Sequence, residues 1–88
     1  MQILWDEEKE RKLIAERGLS LEIFASLILQ RKYIAILKNP LRDEQKIFVI
    51  PYENYTYVVP FALDNNENIV LKTVFPSRKY HKVYGGKK

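Results

Sequence analysis

What most narrows the folds open to this chain is a change of pattern near its middle. Residues 6–31 carry two helical signals split by Gly18-Leu19-Ser20, whereas residues 47–75 hold three runs rich in β-branched and aromatic residues. In the first part, Asp6 is a good N-cap, and Glu7 and Glu8 suit the positive end of a helix dipole. Gly18 predicts the end of that helix, because the residue just past a helix often adopts the left-handed conformation that glycine tolerates. Ser20 predicts the next N-cap, with Leu19 and Phe24 spaced as a hydrophobic staple. Leu21, Phe24, Ala25, Leu27 and Ile28 give the second helix a wide apolar face, while the first is mostly charged and belongs on the surface.

The runs 47–50, 55–62 and 69–75 are separated by Glu53-Asn54 and by the polar stretch 64–68, which predicts an antiparallel meander. Pro51 and Pro60 have no N–H to give a ladder and mark strand ends, an edge or a bulge. Residues 1–5 read as a short strand or lead-in, and residues 33–37 read equally as a strand or as a continuation of the second helix. Asn39-Pro40 breaks the chain after them. Ser77 can cap a last short helix, closed by Gly85-Gly86. The order (β)αα(β)βββα predicts an α+β fold. Two N-terminal helices pack on one face of a small antiparallel sheet of three to five strands, followed by a short C-terminal helix.

At 88 residues the chain supports one core, so a single domain over residues 1–88 is expected, with a homodimer or an obligate partner as a natural supplement to its stability. The absence of cysteine excludes disulfides, thiol catalysis and thiolate zinc sites, and a single histidine excludes a multi-histidine metal site. No metal and no cofactor are therefore expected. No apolar run is long enough to span a bilayer and the start of the chain has no signal-peptide pattern, so a cytoplasmic protein is expected.

The net charge of +4 is unevenly laid out. Residues 1–31 carry five basic and six acidic groups, residues 32–76 five of each, and residues 77–88 five basic groups with no acid. A clustered excess of this kind suits a polyanion. The acids Asp6, Glu7, Glu8 and Glu10 sit at a helix start, where acids are favoured anyway, and read as a solvated face. Trp5 reads as an anchor of the first helix to the sheet, and Tyr52, Tyr55 and Tyr57 as core or rim packing around one hairpin.

The run from Ser77 to Tyr84 differs from all of these, because it gathers phosphate-binding cations, a group that titrates near neutral pH and a phenol within two helical turns. Metal-free RNA cleavage needs such groups: a base for the 2′-OH proton, cations for the phosphorane and a donor for the leaving 5′ oxygen. On a helical wheel Arg78, Lys82 and His81 share one cationic arc, Tyr80, Val83 and Tyr84 form an apolar arc suited to docking on the sheet, and Lys79 lies between.

The chain also resembles a known family, the BrnT-type toxins of toxin–antitoxin pairs. Trp5-Asp6-Glu7-Glu8-Lys9 matches its opening Trp-Asp-x-x-Lys, and Gly18-Leu19-Ser20-Leu21-Glu22 its Gly-[Ile/Val]-Ser-Phe-Glu stretch. Asp43-Glu44-Gln45-Lys46 matches an acid-Glu-x-basic loop, and Arg78-Lys79 with Tyr84 matches its closing helix. The chain departs from the family pattern at Glu16-Arg17-Gly18, at Lys46, where arginine is commoner, at Phe75-Pro76-Ser77 and at Gly85-Gly86. The resemblance implies a RelE-like fold, a metal-independent endoribonuclease and a ribbon-helix-helix antitoxin as partner.

By position it implies a catalytic role for Arg78 and Lys79, and a possible one for Tyr84. Together the two lines of reading predict that Arg78 stabilises the phosphorane, that Lys79 assists, and that Tyr84 or His81 handles protons. Lys82, from the wheel, and Lys46, from the resemblance, are expected to bind substrate. A rival reading from another class is a non-catalytic, toxin-like module that binds nucleic acid or a protein partner through the same basic helix.

Overall fold

The computed structural model describes residues 1–85, and Gly86, Lys87 and Lys88 lie outside the described residues. In chain order the elements are β1 (Ile3–Leu4), α1 (Glu7–Arg17), α2 (Leu21–Leu29), β2 (Ala35–Lys38), β3 (Lys46–Tyr52), β4 (Tyr55–Leu63), β5 (Ile69–Leu71), β6 (Phe75–Pro76) and α3 (Arg78–Tyr84). The fold is α+β, as expected. Its sheet is larger than expected, with six strands in the order β1-β5-β4-β3-β2 and β6 also paired to β4. It is mixed, because β1 pairs parallel to β5 while every other pair is antiparallel.

The helix boundaries follow from capping. Asp6 accepts from the backbone N–H of Glu8 at 2.8 Å, and Gly18 closes α1 with φ 66°. Ser20 caps α2, and its hydroxyl also donates to Glu10 at 2.8 Å. Glu10 corrects the reading of the acidic cluster. It is only 6% exposed, and its carboxylate accepts from the backbone N–H groups of Leu21 at 2.6 Å and Glu22 at 3.3 Å. A side chain of α1 thus satisfies the otherwise unpaired donors of the α2 N-terminus.

β2 is a strand, which settles the ambiguous 33–37 segment in favour of extended structure beginning at Ala35. β3 and β4 meet through a two-residue turn in which Glu53 and Asn54 both have positive φ, the geometry of a type I′ hairpin. Asp64 organises the next turn. The Asn68 backbone N–H, assisted by those of Asn66 and by the Asn68 side chain, donates to its carboxylate and holds its pKa below the usual value despite some desolvation. The Asn68 side-chain oxygen in turn accepts from Gln2 N–H at 2.9 Å, which fixes the lead-in beside β5.

The expected single strand over 69–75 is divided. Phe61 pairs with Leu71 and Val58 with Phe75, so Val59 and Pro60 of β4 oppose three residues, Lys72, Thr73 and Val74. The extra residue is a bulge, and it forms where Pro60 has a carbonyl to offer but no N–H. Lys72 N–H donates to that carbonyl at 2.9 Å.

Alternation along the strands then builds two cores. Phe48, Ile50, Val59, Phe61, Leu71 and Val74 meet Leu13 of α1 and Leu21, Phe24, Ala25 and Ile28 of α2. Trp5, Tyr52 and Tyr57 flank this core, the two tyrosines with ring centroids 5.1 and 5.4 Å from Phe24. On the other face Ile47, Val49 and Val58 meet Tyr80 and Tyr84 of α3. Burial on both faces is why β3 reads as an unbroken apolar run.

Candidate functional site

α3 is held by Ser77, whose hydroxyl accepts from Tyr80 N–H at 3.2 Å, and by an apolar side that is narrower than the wheel suggests. Tyr80 and Tyr84 dock on the sheet, but Val83 is half exposed. Of the expected cationic arc Arg78 and Lys82 are exposed, and Lys79, expected between the arcs, is exposed as well. His81 is not free on that arc; it turns inward at the arc's edge. Its Nδ1 lies 2.9 Å from the hydroxyl of the buried Thr56, and its ring stacks on Tyr55 with centroids 4.3 Å apart. The pull of a buried hydroxyl and an aromatic face outweighs solvation of a half-polar ring. Among the described residues Nε2 makes no hydrogen bond.

Gly85 sits at the end of α3 in an ordinary right-handed conformation, with φ −66°. Its glycine requirement is steric: a Cβ there would overlap the His81 ring and carbonyl. Gly86, the second half of the expected helix stop, lies outside the described residues. His81 and Gly85 border a small pocket of about 340 Å³ with Tyr55, Thr56 and the Glu53-Asn54 turn.

Lys79 points elsewhere. It borders a cleft of about 810 Å³ between α1, the 39–45 loop, the bulge and α3, floored by Ile47, Val58 and Pro60. Its ammonium lies 5.2 Å from the centre of the Tyr80 ring, a cation–π distance, and Tyr80 also borders the cleft. Lys9, Lys12, Arg17, Arg42 and Lys72 line it as well, so six cations face one acid, Glu16. Charge counting along the chain missed this wall, because α1 carries acids and bases in similar number. The signal was present as spacing: Lys9, Lys12, Glu16 and Arg17 recur at helical intervals and share one side of α1.

Lys46 is not brought to these groups. It begins β3 in phase with Phe48 and Ile50, which places it on the α2 face, whereas Ile47 and Val49 face α3. The five expected groups of the C-terminal run are thus distributed around α3, with Lys79 in the cleft, Arg78 and Lys82 on the crest, His81 in the small pocket and Tyr84 against the sheet. Tyr84 stacks on Tyr80 with centroids 6.4 Å apart. Among the described residues no group of three or more acidic or histidine side chains is placed to hold a metal ion. No helix among them is long and apolar enough to cross a membrane.

No family model matches the sequence, and no curated protein matches it. Among solved structures, the crystal structure of the Brucella abortus ribonuclease toxin BrnT is similar to this chain, with a TM-score of 0.64. The likeness covers 88% of this chain and 96% of that one at 18% identity. What the two chains share is the fold.

Proposed function

We propose that this chain, with its BrnT-like fold, is a metal-independent endoribonuclease toxin of a type II toxin–antitoxin pair. The observation that carries the reading is a cleft with six cations to one acid, set in the fold of a ribonuclease toxin. Such a cleft concentrates a polyanion, and α3 adds groups suited to cutting one.

In the reaction the 2′ oxygen bonds to phosphorus as the bond from phosphorus to the 5′ oxygen breaks, leaving a 2′,3′-cyclic phosphate and a 5′-hydroxyl. The strand runs from the Lys79 side of α3 across the crest. Arg78 and Lys79 stabilise the charge that grows on the phosphorane, and Lys82 holds a neighbouring phosphate. His81 takes the 2′-OH proton through Nε2, since Thr56 holds Nδ1, and returns it to the leaving 5′ oxygen. Tyr84 is engaged with Ile47, Val49, Val58 and Tyr80, so its part is to seat the helix. The inhibitory partner is a small ribbon-helix-helix antitoxin, for which a basic cleft is an electrostatic target.

The test is cleavage of RNA by purified protein in excess chelator, with product ends identified. Cyclic phosphate ends are expected. Arg78→Ala should cut at least about 100-fold more slowly, as for loss of one transition-state donor, with thermal stability unchanged. Activity that disappears in chelator and returns with magnesium overturns the metal-free reading. An Arg78→Ala variant that cleaves like the parent removes α3 as the active site, and RNA binding with no cleavage by the parent favours the non-catalytic module.

A further inference from the structure

We infer that the cleft beside α1 is a binding track for unpaired RNA, in which Lys9, Lys12 and Arg17 grip phosphates and Phe75 stacks on a base. The choice of RNA among polyanions rests on the ribonuclease reading, whereas the track itself rests on three features of the cleft.

The first is charge. Lys9, Lys12 and Arg17 project from one side of α1 into the same cleft as Lys79 of α3, and Glu16 is the single acid among the lining side chains. Like charges gathered around one cleft repel one another, and an anion seated among them relieves that repulsion. The second is the apolar surface between the cations. Above a buried floor of Ile47, Val58 and Pro60 the exposed side chains of Pro40, Leu41 and Phe75 line the cleft, so it offers cations and apolar surface together. That combination suits a single strand, whose bases are free to stack, and not a duplex, which presents phosphates and sugars outward.

The third is Phe75 itself. The other rings on or near α3 are engaged: Tyr80 with Lys79 and Tyr84, and Tyr55 with His81. Phe75 is 36% exposed, borders the cleft, and among the described residues takes part in no aromatic pair. The bulge at Lys72–Val74 shifts the register just before it, which sets β6 beside the cleft mouth and next to the start of α3. Phe75 directly precedes α3 in the chain, and Lys79 of that helix lines the same cleft, so a strand whose base stacks on Phe75 would be led toward the proposed cleaving groups.

The experiment measures binding of a fully 2′-O-methylated oligonucleotide, which cannot be cut by 2′ attack, as a single strand and as a duplex of equal length over a series of salt concentrations. The parent is expected to bind the single strand more tightly than the duplex. In the triple variant Lys9→Gln, Lys12→Gln, Arg17→Gln, three lost phosphate contacts should reduce the slope of log affinity against log salt by about 2. Phe75→Ala should weaken single-strand binding about tenfold and leave the slope unchanged, since stacking releases no counterions. Circular dichroism of each variant checks that these exposed substitutions leave the fold intact.

A triple variant that binds with the parent's affinity and slope overturns the inference, as does equal binding of duplex and single strand. Binding of an acidic polypeptide such as polyglutamate by the parent, lost in the triple variant, with no RNA binding by the parent, would overturn the inference and make the cleft a protein-docking site. The two readings fail separately. Retained binding without cleavage sinks only the ribonuclease, and cleavage that survives the triple variant undiminished sinks only the track.

Discussion

At Glu10 a carboxylate that local pattern assigns to water instead reaches across to the next helix. Three donors converge on it, from Ser20 Oγ and the backbone N–H groups of Leu21 and Glu22. Those amides lie at the positive end of α2, so the negative charge and the hydrogen bonds reinforce one another. Removing the side chain leaves buried donors unpaired. Glu10→Ala is expected to cost about 2–3 kcal/mol in denaturant unfolding, from the desolvation of groups left without partners. RNA affinity should not move, because Glu10 does not line the cleft. A loss below about 0.5 kcal/mol, the range of an ordinary surface change, would show that water replaces the carboxylate freely. The partner of Glu10 lies ten or more residues away, so no local reading of an acidic first turn distinguishes it from Glu7 and Glu8.

At the scale of one element, α3 carries two conflicting demands. Tyr80 and Tyr84 must be buried on Ile47, Val49 and Val58, while Arg78, Lys79 and Lys82 must reach solvent. The wheel located both arcs, yet misplaced their boundary by putting Val83 inside and His81 outside. A wheel treats the surface it meets as uniform, whereas the sheet offers a buried hydroxyl at Thr56 and a ring at Tyr55, both suited to an imidazole. Gly85 completes that fit. In an unconstrained helical position Gly→Ala stabilises by roughly 0.5–1 kcal/mol. Here the added Cβ meets His81, so Gly85→Ala is expected to give no gain in stability and to displace the ring from Thr56. Histidine resonances in NMR spectra report this directly. A stabilised variant with unshifted His81 signals would show that the helix end relaxes without disturbing the ring.

At the scale of the whole molecule the basic surface is assembled from parts that are distant in sequence. The chain leaves β1 at one edge of the sheet, crosses its face through α1 and α2, and re-enters at β2 on the other edge. That path brings α1, the 39–45 loop and the bulge to the same cleft as Lys79. In the proposed toxin–antitoxin pair the antitoxin is expected to cover α3 or the sheet beside it, since masking that helix removes the proposed cleaving groups. Hydrogen exchange of the complex should then show protection over residues 77–85. Protection confined to the α1 helix would place the inhibitor on the binding wall alone and count against this arrangement.

The sequence by itself determined the α+β class, the caps at Asp6, Gly18, Ser20 and Ser77, and the Glu53-Asn54 turn, and its motifs resembled the BrnT-type family whose fold the structure shares. These features are set by interactions within a few residues or by the period of apolar side chains, so they are written locally. Tertiary structure alone decided that β1 runs parallel to β5, that 69–75 breaks at a bulge, and that Lys46 lies on the face away from α3. It also decided that Glu10 caps a helix and that six cations share one cleft. Each of these depends on which strand or helix lies opposite. Hydrogen-bond partners and neighbouring charges across a sheet are chosen by the path of the whole chain, and no short window of residues contains that path.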